Sequence, residues 1–133
     1  MKTIWTSYYS AAARIPEDVQ RIAISLSVPA WCRIDRRCKL LAPSAKTFQA
    51  AKSGRPWRPQ FRNELQRNLG RAMDELPDGC VLLCWEKDPG SCHRQEVFRA
   101  LQARFGVEGG EYPVPKPTGK EKRENPQGTL FGD

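Results

Sequence analysis

The residues of this chain that could do chemistry crowd into one short stretch. From Cys80 to Arg94 it reads Cys-Val-Leu-Leu-Cys-Trp-Glu-Lys-Asp-Pro-Gly-Ser-Cys-His-Arg, which includes the only histidine of the chain. A thiol becomes a nucleophile where its pKa is lowered. Imidazole titrates near neutral pH, and a guanidinium grips phosphate or carboxylate with two parallel bonds. Cys84, Glu86, Cys92, His93 and Arg94 are therefore candidate catalytic residues. Cys92 or Cys84 would be the nucleophile, His93 and Glu86 the acid–base groups, and Arg94 the anchor for an anion.

A strand, a tight loop and a helix must position these groups. Cys80–Trp85 is a continuous apolar run of strand length, as expected for a strand covered on both faces. Arg94 opens a helical pattern. Free N–H groups and the helix dipole at such an N-terminus favour anions and stabilise thiolates. Three readings stay open from the residues alone. One is an active or anion-binding site. A second is a metal site using Cys84, Cys92 and His93 with Cys80, Cys32 or Cys38, although no Cys-x-x-Cys pair supports it. The third is structural, with cysteines serving as small hydrophobes; Cys80 fits that role in every case.

Other elements complete the frame. Lys2–Tyr8 reads as a first strand, and the hydroxyl cluster Thr6-Ser7-Tyr8-Tyr9-Ser10 lies at its carboxyl end. Ligands of open α/β sheets sit beyond the carboxyl ends of strands, so the cluster is a candidate wall of the site. Arg21–Val28 alternates as a second strand and ends at Pro29. Pro43-Ser44 opens a short helix to about Lys52, with Ser44 as its cap. Trp57–Leu76 is a long helix with Phe61, Leu65, Leu69, Ala72, Met73 and Leu76 on one face. A second long helix runs from Arg94 to Phe105 and ends at Gly106, and Val107–Val114 is an expected edge strand. The expected fold class is α/β, a small, mostly parallel or mixed sheet flanked by helices.

With 133 residues, a single domain over 1–114 is expected, followed by a flexible tail over 115–133 rich in charge, Pro and Gly. No run reaches the 18 apolar residues of a membrane span, and no secretory signal opens the chain. Five cysteines, an odd number, fit reduced thiols in a cytoplasmic protein better than a disulfide framework. The sequence names no cofactor.

Net charge is +7, concentrated between Trp31 and Arg71, where eleven basic residues face only two acids, Asp35 and Glu64. Trp31, Phe48, Trp57 and Phe61 interleave with them. Cations neutralise phosphates and aromatic faces stack on exposed bases, so nucleic acid or a nucleotide is the expected partner. Arg36, Arg37, Lys39, Arg55, Arg58 and Arg62 are the candidate contacts.

Cys84-x-Glu86-Lys87 followed by Cys92-His93-Arg94 resembles the domain of unknown function 488 family, whose pattern is an apolar strand ending in Leu-Leu-Cys-x-Glu-Lys, a loop, Cys-His-Arg and a helix. Ile4-Trp5-Thr6-Ser7-Tyr8 looks like that family's first strand, and Lys39-Leu40-Leu41-Ala42-Pro43 like its central Leu-x-Pro segment. The resemblance covers about residues 1–112. It implies a small α/β fold and the same defining residues, with Thr6 and Tyr8 lining the anion crevice beside Arg94. It implies no reaction. In the tail, Gln127-Gly128-Thr129-Leu130-Phe131 resembles the bacterial sliding-clamp-binding pentapeptide, which implies Gln127, Leu130 and Phe131 as clamp contacts. The combined expectation is a DNA-associated protein of repair, replication or mobile-element biology. The alternative is a non-catalytic nucleotide- or metabolite-binding regulatory module.

Overall fold

The computed structural model describes residues 2–86 and 93–113. Five strands form one sheet: β1 (Thr3–Tyr8), β2 (Arg21–Ala23), β3 (Arg36–Arg37), β4 (Val81–Cys84) and β5 (Glu108–Glu111). Their order is β3-β2-β4-β1-β5 and every neighbouring pair is parallel. Three α-helices accompany the sheet, α1 (Ala45–Lys52), α2 (Arg58–Glu75) and α3 (His93–Phe105), with 3-10 turns at Tyr9–Arg14 and Lys39–Leu41. The fold class is α/β, as expected. The expected tail and its Gln127, Leu130 and Phe131 lie outside the described residues, as do Lys87 and Cys92.

β4 is central because all four of its residues are apolar and can be buried on both faces. Leu82 and Cys84 join Ile4 and Ile22 beneath α2 and α3, against Phe61, Leu65, Leu69, Val97 and Leu101. Val81 and Leu83 belong to the opposite layer, with Ala23, Tyr9, Ala12 and Ile15. That layer is built from the 3-10 turn after β1 rather than from an α-helix. Arg21 ties it down: its buried guanidinium donates to the carbonyls of Ala12 (2.9 Å), Ile15 (2.7 Å), Val19 (3.0 Å) and Pro16 (3.4 Å). One cation thereby gathers four carbonyls of an irregular backbone, two of which, Ala12 and Pro16, also accept a turn N–H.

α2 forms where its apolar residues recur at the helical period, and Phe61, Leu65, Leu69 and Ala72 are the ones it buries. The Ser44 Oγ caps α1 by accepting the Thr47 N–H at 3.2 Å. Gly106 ends α3 at φ +68°, where its N–H reaches the Gln102 carbonyl at 2.9 Å.

Two expectations change. The second strand stops at Ala23, although the alternation runs to Val28. One further ladder bond forms, Ile24 N–H to Leu83 O at 3.0 Å. Then Ser25 turns its hydroxyl onto the Ser27 carbonyl at 2.5 Å and pairs with the Tyr9 hydroxyl, so the chain bends away. The basic Trp31–Ala42 connection, with no expected element, contains β3 and a 3-10 turn. β3 has only two residues, both exposed arginines, and two residues carry no readable period. It is held in register by Asp35, whose N–H donates to the Arg21 carbonyl (2.8 Å) and whose carboxylate accepts the Arg21 N–H (2.8 Å).

Candidate functional site

The strand–loop–helix junction brings Cys84, Glu86, His93 and Arg94 together at the carboxyl ends of β1 and β4. Parallel pairing sets Tyr8 beside Cys84, and β1 also pairs with β5, where Thr6 aligns with Glu111. Glu111 then meets Arg94 in a bidentate pair, Nε–H to Oε2 at 2.9 Å and Nη2–H to Oε1 at 3.0 Å. Arg94 Nη1 donates to the Glu86 carbonyl and approaches Cys84 Sγ at 3.3 Å. The guanidinium carbon lies 5.7 Å from the centroid of the Tyr8 ring, and Thr6 Oγ1 donates to Glu111 Oε2. Arg94 is completely buried, whereas the Glu111 side chain is 42% exposed. The cation is thus enclosed by four groups of its own chain, the Glu111 carboxylate, the Glu86 carbonyl, Cys84 Sγ and the Tyr8 ring.

His93 is also completely buried. Its Nε2 bonds the Ile24 carbonyl, and its ring meets Phe61 edge-on at 5.4 Å between centroids. Burial pushes its pKa down to about 4, with the charge of Arg94 acting in the same direction and the Ile24 carbonyl opposing it. At neutral pH it is an uncharged crosslink between α3 and the end of β2. Cys84 is buried and disulfide-bonded. This corrects the expectation of uniformly reduced thiols, and the thiolate required of a nucleophile is not formed at Cys84. Cys32, Cys38 and Cys80 are free. Burial raises all three thiols, Cys38 to about 11 and Cys80 to about 12, so none is thiolate-prone. Among the described residues, no three His, Cys, Asp or Glu gather as metal ligands. Cys92, the other candidate nucleophile, lies outside the described residues.

No protein-family model matches the chain, and no curated protein or solved structure matches it either.

A second place on the surface has the opposite construction. A groove of about 730 Å3 runs between α2, the start of α1 and the 3-10 turn at Lys39–Leu41. Lys39, Lys46 and Arg67 line it, together with the amides of Gln60, Asn63 and Asn68. Its carboxylate, Glu64, accepts the Ser44 N–H (3.1 Å), the Ser44 hydroxyl (2.6 Å) and the Thr47 hydroxyl (2.6 Å). Burial would raise the Glu64 pKa, but these bonds outweigh it and hold the carboxyl below its ordinary value. Glu64 therefore serves the N-terminus of α1, where a negative charge is favoured. Among the described residues, Lys39, Lys46 and Arg67 form no ion pair.

The structure divides the basic segment among several surfaces. Arg36 and Arg37 are exposed on edge strand β3, with Arg36 Nη1 donating to the Glu75 carbonyl at 3.1 Å. Lys39 lines the groove. Arg55 borders a separate hollow beside Trp57. Arg58 and Arg62 lie on the other flank of α2, where buried Glu96 of α3 accepts from both, Arg58 at 3.0 Å and Arg62 at 2.8 and 3.1 Å. The Arg62 bonds, followed by Arg58 and against the cost of burial, hold the Glu96 carboxyl below its usual value. The candidates absent from the sequence-based set are Glu111, Lys46, Arg67 and the three amides. Gln60, Asn63, Glu64, Arg67 and Asn68 recur at spacings of three and four, so the second face of α2 was legible as a polar stripe.

No helix among the described residues is long and apolar enough to cross a membrane.

Proposed function

We propose that this protein binds nucleic acid through the groove of Lys39, Lys46 and Arg67, as a DNA-associated protein of repair, replication or mobile-element biology. The observation that carries the reading is the groove's charge: three cations with no ion pair among the described residues, beside three amides, while the carboxylate is engaged by Ser44 and Thr47. Lysine and arginine neutralise phosphates, and amide side chains position a backbone or reach base edges. Arg36 and Arg37 on the neighbouring edge strand extend the same positive field. Arg94 is not the phosphate anchor in this reading, because it is fully buried and bonded to Glu111. The C-terminal Gln127-Gly128-Thr129-Leu130-Phe131 peptide tethers the domain to the bacterial sliding clamp.

The alternative, a non-catalytic regulatory module that binds a nucleotide or metabolite, gains support from one specific observation. His93 is buried and neutral and Arg94 is spent on internal bonds, which suits a structural junction better than an acid–base centre.

The test is fluorescence anisotropy of the full chain on labelled DNA across a salt series. Charge reversal of Lys39, Lys46 and Arg67 together should abolish most binding and reduce the salt slope by about two to three. Unchanged affinity and slope would remove the groove from the interface. A titration with unlabelled nucleotide that saturates the groove while DNA does not bind would favour the regulatory module. For the tail, capture on immobilised clamp should be lost in Leu130→Ala and Phe131→Ala; retention in both would end the tether reading.

A further inference from the structure

We infer that the groove takes a single strand of nucleic acid, with one base received in the hollow at Trp57. This rests on the groove reading above and names its substrate class. Gln60, Glu64, Arg67 and Asn68 share one face of α2, and Trp57 is the residue at the N-cap of that helix, three positions before Gln60. Beside Trp57 lies a hollow of about 460 Å3 walled by Arg55, Pro56, Arg58 and Pro59. The volume is within the range of small-ligand sites. Its lining combines a tryptophan, two prolines and two arginines with the small residues Ala51 and Gly54. Flat apolar surfaces with cations beside them are what an unpaired base stacks on.

The platform is fixed. The Arg58 guanidinium carbon lies 4.6 Å from the centroid of the Trp57 ring, and Glu96 holds the same guanidinium at 3.0 Å. Trp57 also packs against buried Phe61, with ring centroids 6.1 Å apart. The indole is therefore ordered before any ligand arrives, which lowers the entropic cost of binding. The ten helical steps from Trp57 to Arg67 span about 15 Å. That length covers about four stacked nucleotides at ~3.4 Å each. Phosphates then run past Lys46, Lys39 and Arg67 while a base at one end turns into the hollow. A duplex presents the same phosphates but keeps its bases stacked inside, so it leaves the Trp57 hollow unused.

The experiment compares two labelled probes by anisotropy with the full chain at matched salt. One is an oligothymidylate of about 12 nucleotides, and the other is a hairpin duplex with the same number of phosphates. The single strand should bind more tightly and quench tryptophan fluorescence. Trp57→Ala should weaken single-strand binding about tenfold and leave duplex binding unaltered. Trp57→Phe, which keeps a ring in the core, should retain most of the affinity and lose most of the quench; circular dichroism of both variants establishes that the fold is intact. Equal or tighter binding of the duplex overturns the inference, as does an undiminished quench in Trp57→Phe. If charge reversal in the groove abolishes binding while both Trp57 variants bind like the unaltered chain, the groove reading stands and this inference falls. If neither probe binds the unaltered chain, both fall.

Discussion

The junction at the end of β4 and the groove along α2 are both rich in polar side chains, and they are built in opposite ways. At the junction, Arg94 and His93 are completely buried, and each is bonded to groups of its own chain. In the groove, Lys39, Lys46 and Arg67 pair with no acid among the described residues. A cluster of reactive residue types therefore does not by itself mark a binding site. What distinguishes the two places is whether the hydrogen-bonding and charge capacity of the side chains is already used. A buried guanidinium without partners would be costly, so its burial required Glu111, the Glu86 carbonyl and the Tyr8 ring around it.

The comparison breaks most readily at Arg94. Replacing it with alanine leaves a cavity and removes the tie among α3, β4 and β5, so stability should fall by about 3 kcal/mol in chemical denaturation. A loss below about 0.5 kcal/mol, the range of an unremarkable surface change, would reopen Arg94 as a ligand anchor.

Next comes Gly109 on β5. Its φ is +119°, and a Cβ there would stand 2.1 Å from the Ile4 carbonyl oxygen. Gly109→Ala should displace β5 and with it Glu111, at a cost of about 2–3 kcal/mol. In a double-mutant cycle with Arg94→Ala the two losses should be less than additive, because both act through Glu111. Simple additivity would show that β5 does not present the carboxylate.

His93 gives the junction a pH dependence. Its folded pKa is about 4, below the ordinary histidine value of about 6.5. Between those values the unfolded chain binds a proton that the native chain does not, so stability is full above about pH 6.5 and is lost as pH falls. Glu64 and Glu96, whose pKa values are also lowered, lose their contribution only as pH approaches ordinary carboxylate values. From about pH 6.5 to 5 the fall should be about 2 kcal/mol and should belong to His93. Urea titrations at several pH values measure it. His93→Gln, which keeps a donor for the Ile24 carbonyl, should flatten that limb; an unchanged slope would mean that the histidine is not the group responsible.

The smallest effect on stability belongs to the groove. Lys46→Glu should change unfolding free energy by less than about 0.5 kcal/mol, since Lys46 is exposed and has no ion-pair partner among the described residues. Its effect should appear in nucleic-acid affinity instead. A large destabilisation would place Lys46 with the structural group and erase the contrast between the two regions.

Much of the frame could be read from residue pattern. The run Val81–Cys84, the apolar stripe Phe61–Leu65–Leu69–Ala72, the Ser44 cap and the Gly106 stop each report a local constraint that a few neighbouring residues satisfy. The 3-10 layer at Tyr9–Arg14 and the two-residue β3 were not readable. Neither has enough length to show a period, and both are held through hydrogen bonds of Arg21, which no pattern within either segment announces. At the candidate sites, residue types were visible but partnerships were not. Glu111 lies 17 residues from Arg94 along the chain, in a stretch read only as an edge strand, and nothing local couples them. The positive segment also looked like one face, yet Glu96 captures Arg58 and Arg62 on one flank of α2 while Arg67 lines the other.

The sequence alone determined the α/β class, the central buried strand, the position of the long helices and the excess of positive charge, because those follow from periodicity and composition within short windows. The tertiary structure decided which of the polar residues are consumed. Parallel pairing of β1 with both β4 and β5 brought Thr6, Cys84 and Glu111 around Arg94 and closed the junction. Packing of α2 against α3 and the 3-10 turn at Lys39–Leu41 left Lys39, Lys46 and Arg67 facing a groove. Whether a cation is a structural tie or an interface depends on the groups brought within about 3 Å of it, and those come from segments remote in sequence.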